Sequence, residues 1–560
     1  MAPAPTAPRA LHAAFVFAIV SLALFALHAP LLRLPYFWDE AGYYIPAARD
    51  LYLTGSLIPH STPSNAHPPL VMAYLAACWK VAGFSTLVTH SAMLLLAAFA
   101  LLGLFRLAER IANREVAMAS VICTALYPVF FMQSTLVQVD LAAAALIFWG
   151  LLAYFDRRWW MVTLWFSLAV LAKETALLVP LALFAWELVA PRLRSKRILE
   201  GFTPAGWKSA TLLVPLPPLT LWYAYHYSRT GYIFGNPEFF RYNVQATTNP
   251  LRVLLALLMR LWQLIGYMNL GVLTVAALLA MLLPPLPGPN GERPRIALHI
   301  QFTLLAVAAV YVLAMSIVGG AVLARYMLPI VPLVIIVLVS TLWRRVRFWR
   351  EAIAIVALGF VLALFINPPY GFTLEDNLAY RDYIQLHMNA ERFLQARYPT
   401  ARVLTAWPAS GELTQPTLGY VARPMQVVSL ENFTIDELMS AAELRESFDV
   451  ALVFSTKYEP PHPWLEHWEA WQQIKARFFG YHRDAPPALA AQLLGGDIVY
   501  AERRPGQWIA IIELPHALDA NLAHYCDAPP GCHPDRSAAI KAKQAEWRNL
   551  LFLRDSVSPW

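Results

Sequence analysis

Charge is what this sequence is short of. Asp, Glu, Lys and Arg make up 14% of its 560 residues, hydrophobic residues make up 58%, and mean hydropathy is +0.48. A soluble domain fills its core with less apolar sequence and covers its surface with more charge, so the composition excludes that class and reads as a polytopic α-helical membrane protein. Cysteine is nearly missing too: Cys78 and Cys123 stand in apolar runs as packing residues, while Cys526 and Cys532 flank the turn 527–531. With no Cys-x-x-Cys and no histidine at ligand spacing beside them, no zinc site is expected there, and a disulfide between the last two requires an oxidising compartment. The chain has no GxxxxGK[ST] phosphate loop, no nucleic-acid motif, no solenoid or propeller repeat, and no inverted pair of interrupted helices of the transporter kind. The net charge of +7 resides in short clusters between apolar runs, where Lys and Arg set membrane orientation rather than bind nucleic acid.

Long apolar runs are what the sequence has in number. Spans are expected over 11–34, 87–107, 116–132, 139–155, 159–172, 175–190, 209–227, 271–286, 296–318, 326–343 and 352–366, about eleven in all and about thirteen at most, since roughly 20 apolar residues cross a bilayer. The first run exceeds the apolar core of a signal peptide and lacks a small-residue cleavage site, so it is expected to stay as an anchor. The run 70–84 is short and carries Lys80. Placed on the outer face, or re-entering from it, this run leaves the basic loops 106–114, 157–158, 192–197, 293–295 and 344–350 all inside; counted as a span, it would reverse them. The run 251–268, interrupted by Arg260, reads as an amphipathic helix lying at the outer surface. Pro368-Pro369 marks the exit from the membrane. The expected organisation is therefore a transmembrane domain over 1–366, with an outer-face loop at 35–86, followed by a soluble α/β domain over 367–560 on the outer face. In the latter, short buried strands are expected at 403–406, 426–430, 450–454 and 508–512, with helices at 378–396 and 435–444.

Against this background the few embedded charges are informative. Asp39 and Glu40, within Phe37-Trp38-Asp39-Glu40-Ala41-Gly42-Tyr43-Tyr44, follow the first apolar segment directly. A carboxylate within or at the edge of a bilayer costs about 2.5 kcal/mol or more, so it faces a protein interior or a water-filled cavity. We read these two as the floor of an active site. Asp140 starts the run 139–155, Lys173 and Glu174 occupy a turn between two spans, and Arg325 opens another; the basic loops place all of them on the same, outer side. Each also has a plainer use. Asp140 caps its helix, Lys173 and Glu174 snorkel from an interfacial turn, Arg325 anchors among headgroups, and His67 is a satisfied loop histidine.

Taken in order over residues 11–366, Trp38-Asp39-Glu40-Ala41, His67-Pro68-Pro69-Leu70, Val139-Asp140-Leu141-Ala142, Ala172-Lys173-Glu174 and Arg325-Tyr326-Met327-Leu328-Pro329 resemble the GT-C superfamily of membrane glycosyltransferases. Within it the likeness is to the protein O-mannosyltransferases and the lipid A aminoarabinose transferases. The resemblance implies a multi-pass enzyme of the bacterial inner membrane with a periplasmic C-terminal domain. Such an enzyme moves a hexose or pentose, with inversion, from a polyprenyl-phosphate carrier to a glycan, lipid or protein acceptor on the outer face. The domain 367–560 does not resemble the sugar-binding repeats of the eukaryotic mannosyltransferases.

The leaving group of that reaction is already a phosphate, so neutralising its charge matters more than protonating it. Lys173, Arg325 or Arg241 would do so through charge-assisted hydrogen bonds. The attacking hydroxyl loses a proton, for which Asp39 is the expected general base, with Glu40 as the alternative base or an orienting partner. His67, Asp140, Glu174 and Tyr326 support them. No cofactor is required; a divalent cation, if used, would fall to Asp39 and Asp140. The expected partners are the lipid-linked donor, membrane lipid and an outer-face acceptor. The main rival is a transporter or flippase of polyprenyl-linked sugars, which predicts charge on both sides of the midplane and paired broken helices. A membrane-anchored receptor leaves Asp39 and Glu40 unexplained.

Overall fold

The computed structural model describes residues 7–193, 202–235, 249–289, 291–318, 320–460 and 468–515. Arg241, Cys526, Cys532 and most of the loop 192–197 lie outside the described residues. Up to residue 366 the described residues are mainly helical. Five described helical segments are long and apolar enough to cross a membrane by length and composition: His12–Leu31, Thr86–Ile111, Glu174–Arg192, Pro250–Ala280 and Leu298–Ile317. Leu70–Ala82, Val139–Phe155 and Trp159–Ala172 are apolar but shorter. Capping fixes several starts; Ser85 and Asn113 accept from the amides of Val88 and Val116, satisfying donors that a first helical turn leaves free.

Where an uninterrupted span was expected and the chain breaks, proline is the usual cause. The expected span 116–132 is two helices, Arg114–Leu126 and Pro128–Gln133, joined at Tyr127 with ψ 121°, because the residue before a proline is pushed out of the helical region. Residues 209–227 divide around Pro215 into a 3₁₀ stretch, Gly206–Leu213, and a helix, Leu216–Thr230. Residues 326–343 begin as a 3₁₀ turn, Ala324–Met327, and become α-helical only over Val331–Arg345.

The run 251–268, expected as an amphipathic helix at the outer surface, is amphipathic with its basic side inward. The helix Pro250–Ile265 turns Arg252 and Arg260 into the protein and Leu254, Leu258 and Ile265 outward. Arg260 donates to the Leu323 carbonyl at 2.7 Å and to Gln263 Oε1 at 3.0 Å. Carbonyls freed by the non-helical stretch before Arg325 thus satisfy a buried guanidinium, a trade favoured where water is absent. The helix then kinks through Met268 and Asn269, at φ 48° and 65°, and resumes as Leu270–Ala280.

Beyond residue 366 the helix Ala379–Arg397 packs on a five-stranded mixed sheet in the order Gln426–Leu430, Arg402–Ala406, Val450–Phe454, Gln507–Glu513, Asp497–Arg504. The first three strands are parallel and the last two join antiparallel. The four expected strands are in these places; Asp497–Arg504 escaped notice because it is a half-exposed edge strand with a charged sequence. The sheet is tied to the helical part at the first loop. Tyr36 N–H donates to the Leu418 carbonyl at 3.1 Å, and Tyr420 Oη donates to the Tyr36 carbonyl at 3.0 Å.

Candidate active site

The stretch after the first helix is bent sharply before it reaches Asp39. Trp38 holds φ 47°, a conformation that costs a bulky residue about 1–3 kcal/mol and persists only where its surroundings impose it. A π-turn, Glu40–Tyr44, follows directly, a feature concentrated at functional sites. Gly42 in this turn allows the backbone to pass against Trp407, whose ring a Cβ would meet at 2.8 Å. The rest of the loop is pinned by Asp50, whose Oδ2 accepts from the amides of His60 (2.6 Å) and Ser61 (2.7 Å). Thr62 Oγ1 donates to the Gly42 carbonyl at 2.8 Å. Ala66, at φ 60°, then turns His67 toward the same centre.

That centre is Arg325. Its Nη2 donates to Asp39 Oδ2 at 2.5 Å, its Nε lies 3.4 Å from Asp140 Oδ2, and its Nη1 donates to Glu375 Oε1. Lys173 Nζ donates to the other oxygen of Asp140 at 2.5 Å and sits 3.9 Å over the Tyr326 ring, which Arg260 and Arg325 also face at 5.5 Å. Asp39, Asp140, Lys173 and Arg325, far apart in sequence and each singled out because charge is costly in apolar surroundings, thus meet in one ion-pair network, which Glu375 joins. The members differ in access. The Asp39 side chain is 34% exposed, whereas those of Arg325, Asp140 and Glu375 are at most 4% exposed. Asp39 is therefore the most accessible carboxylate of this network.

Glu40 points elsewhere. Its Oε2 accepts from the Phe37 amide at 2.8 Å and its Oε1 from the Val137 amide at 2.6 Å, and it is fully buried. It stitches the bend at Trp38 to the turn before Asp140. His67 Nδ1 pairs with Glu174 Oε2 at 2.9 Å, and its ring lies against Tyr44. Asp140, named with Asp39 as a pair for a divalent ion, has both oxygens turned to cations, so a metal there would have to displace Lys173 or Arg325.

Asp39, His67, Lys173, Arg325 and Tyr326 line a cavity of about 950 Å³, and the opposite wall comes from the C-terminal part: Phe372, Glu375, Trp407, Lys457, Arg477 and Phe478. This volume suits a ligand-binding pocket, which commonly spans about 300–1,000 Å³. Sequence reasoning missed that wall. Glu375-Asp376 falls within the expected soluble domain 367–560, yet it repeats the signature of Asp39-Glu40, two adjacent acids shortly after an apolar segment. Burial pushes Glu375 up to about 8 against the pull of Arg325, and pushes Asp376 up to about 7 against its hydrogen bond from Tyr267. Lys457, whose Nζ donates to the His482 carbonyl at 3.1 Å, is pushed down to about 8 by burial.

Parts of this chain are similar to known proteins. Residues 66–222 match the family described as dolichyl-phosphate-mannose-protein mannosyltransferase. Among curated proteins, none matches the chain significantly in sequence. The crystal structure of ArnT from Cupriavidus metallidurans in the apo state is similar, with TM-score 0.52 and 14% identity over 91% of this chain and 99% of that one. The same protein bound to undecaprenyl phosphate gives TM-score 0.50 and 13% identity, over 90% and 98%. At this level of identity the likeness is one of fold: over about nine-tenths of its length the chain is folded like that membrane protein.

Proposed function

We propose that the protein is an inverting glycosyltransferase that moves a sugar from a polyprenyl-phosphate carrier to an acceptor hydroxyl, at the outer face of a bacterial inner membrane with residues 367–560 in the periplasm. One observation carries the reading: the accessible carboxylate of the network, Asp39, is held by Arg325 at the floor of a cavity that the helical and C-terminal parts share. In the reaction the acceptor oxygen bonds to the anomeric carbon as the bond from that carbon to the phosphate oxygen breaks. The bonding pair leaves with the phosphate, and the hydroxyl proton passes to Asp39. Lys173 and Arg325 offer positive charge to the phosphate, a role also open to Arg241. Glu40 orients the loop through two backbone amides. His67, held by Glu174, borders the same space. The similarity to a protein whose structure holds undecaprenyl phosphate supports a donor of that chemical class.

The test is direct. Purified protein is offered radiolabelled polyprenyl-phosphate sugars together with membrane fractions. Transfer of label to an acceptor is expected; label that only crosses a sealed vesicle would replace the enzyme with a flippase. Cysteine labelling in intact cells checks the orientation, with residues 370–515 expected to react and the loop 293–295 to be protected.

A further inference from the structure

A second buried charged cluster lies away from the cavity, inside the C-terminal part, and the transfer reaction makes no use of it. His387 and Glu391 stand one turn apart on one face of the helix Ala379–Arg397, and Glu412 faces them from the short helix Ala409–Thr414. All three are at most 1% exposed. His387 Nδ1 lies 2.6 Å from Glu412 Oε2 and 3.9 Å from Glu391 Oε1, and one ligand atom from each of the three falls within 4.8 Å of the others. Neither oxygen of Glu391 nor Oε1 of Glu412 has a hydrogen-bond donor in the described structure. Two carboxylates brought together in a dry interior need a positive charge between them, because an uncompensated buried carboxylate is among the costliest arrangements in a protein.

We propose that His387, Glu391 and Glu412 form a binding site for one divalent transition-metal ion, with zinc the best match. An imidazole nitrogen and carboxylate oxygens are ordinary zinc donors. A dication with two carboxylates and a neutral imidazole makes a neutral unit, which suits complete burial. The undonated oxygens let either glutamate bind through both oxygens, so the site fills its coordination without water. The ion would act as a staple. His387 stacks on Tyr383 at 4.0 Å, and Tyr383 packs edge-on against Phe37 at 5.4 Å and Trp38 at 5.7 Å, the residues that lead into Asp39. Metal bound there would fix the C-terminal part against the loop that carries the candidate base, while remaining outside the cavity itself.

The alternative occupant is a single proton shared between Glu391 and Glu412, and one experiment separates the two. The full chain, purified in detergent from zinc-supplemented medium without chelator, is analysed for zinc, manganese and iron, and its thermal unfolding is followed before and after chelation and zinc return. The proposal expects about one metal ion per chain, a lower Tm after stripping and recovery on adding zinc alone. Glu391→Gln should lose the metal. If that variant does not fold, the strip-and-return measurement on the unaltered protein stands by itself. A protein without stoichiometric metal, with a Tm indifferent to chelator, overturns the site in favour of the shared proton; so does metal retained in a folded Glu391→Gln protein. These readouts need no donor or acceptor, so they are independent of the transfer reading.

Discussion

Asp39-Glu40 and Glu375-Asp376 are two versions of one device. Each is a pair of adjacent acids just beyond an apolar helix, and in each pair the first acid reaches Arg325 while the second turns away, Glu40 to the amides of Phe37 and Val137 and Asp376 to the hydroxyl of Tyr267. The difference is access. Both border the cavity, but the Asp39 side chain is 34% exposed and that of Glu375 only 2%. The same residue class against the same cation thus divides into a group able to meet substrate and a group that holds the cation in place, and what divides them is burial.

The comparison is broken most severely at its shared member. Arg325→Ala leaves Asp140 and Glu375 buried without their guanidinium, so stability should fall by about 3–5 kcal/mol, read as thermal unfolding in detergent, and donor binding should weaken with it. Arg325→Lys should recover only part, since an ammonium cannot reproduce the fork that reaches Asp39, Asp140 and Glu375 together. Unchanged stability in both variants would show that the network is not formed.

Glu40→Gln sharpens the contrast within the first pair. One of the two amides that Glu40 accepts from then faces an NH₂ group, so a loss of about 1–3 kcal/mol is expected. Donor affinity should stay as it was. A variant with full stability and no transfer would return Glu40 to the role of base.

The smallest effect concerns the second pair and is read through pH. Asp376 titrates at about 7 in the fold against an ordinary value of 3.8, so its contribution to stability is complete below the lower value and is lost as pH rises through the upper one. The Tm should therefore fall between acidic and mildly alkaline buffer. Asp376→Asn should flatten that slope in part, the remainder belonging to Glu375. An identical slope in the variant would mean that Asp376 is not buried as described.

Asp39, Asp140, Lys173 and Arg325 were legible in the sequence because a charge inside apolar sequence carries a penalty that only a partner repays, and so each marked itself. Glu375 was not, because it follows the last apolar run, where charge is ordinary and nothing in one sequence says that the chain folds back. The separate duties of Asp39 and Glu40 were equally hidden; they depend on the bend at Trp38 and the π-turn after it. Pro128 and Pro215 stood in plain view, yet an apolar run read for length alone hides the breaks they cause. His387 and Glu391 sit on a helix of ordinary polar composition, and Glu412, their third partner, arrives only through the fold.

In the proposed reaction, access rather than contact with Arg325 makes Asp39 the base. Single-turnover transfer from a labelled polyprenyl-phosphate sugar, with donor affinity measured separately, should show Asp39→Asn slowed by roughly 10²-fold or more at unchanged donor affinity. Glu375→Gln, which alters the nearly buried partner of the same guanidinium, should lose much less. Equal losses in the two variants, or full transfer by Asp39→Asn, would contradict the account.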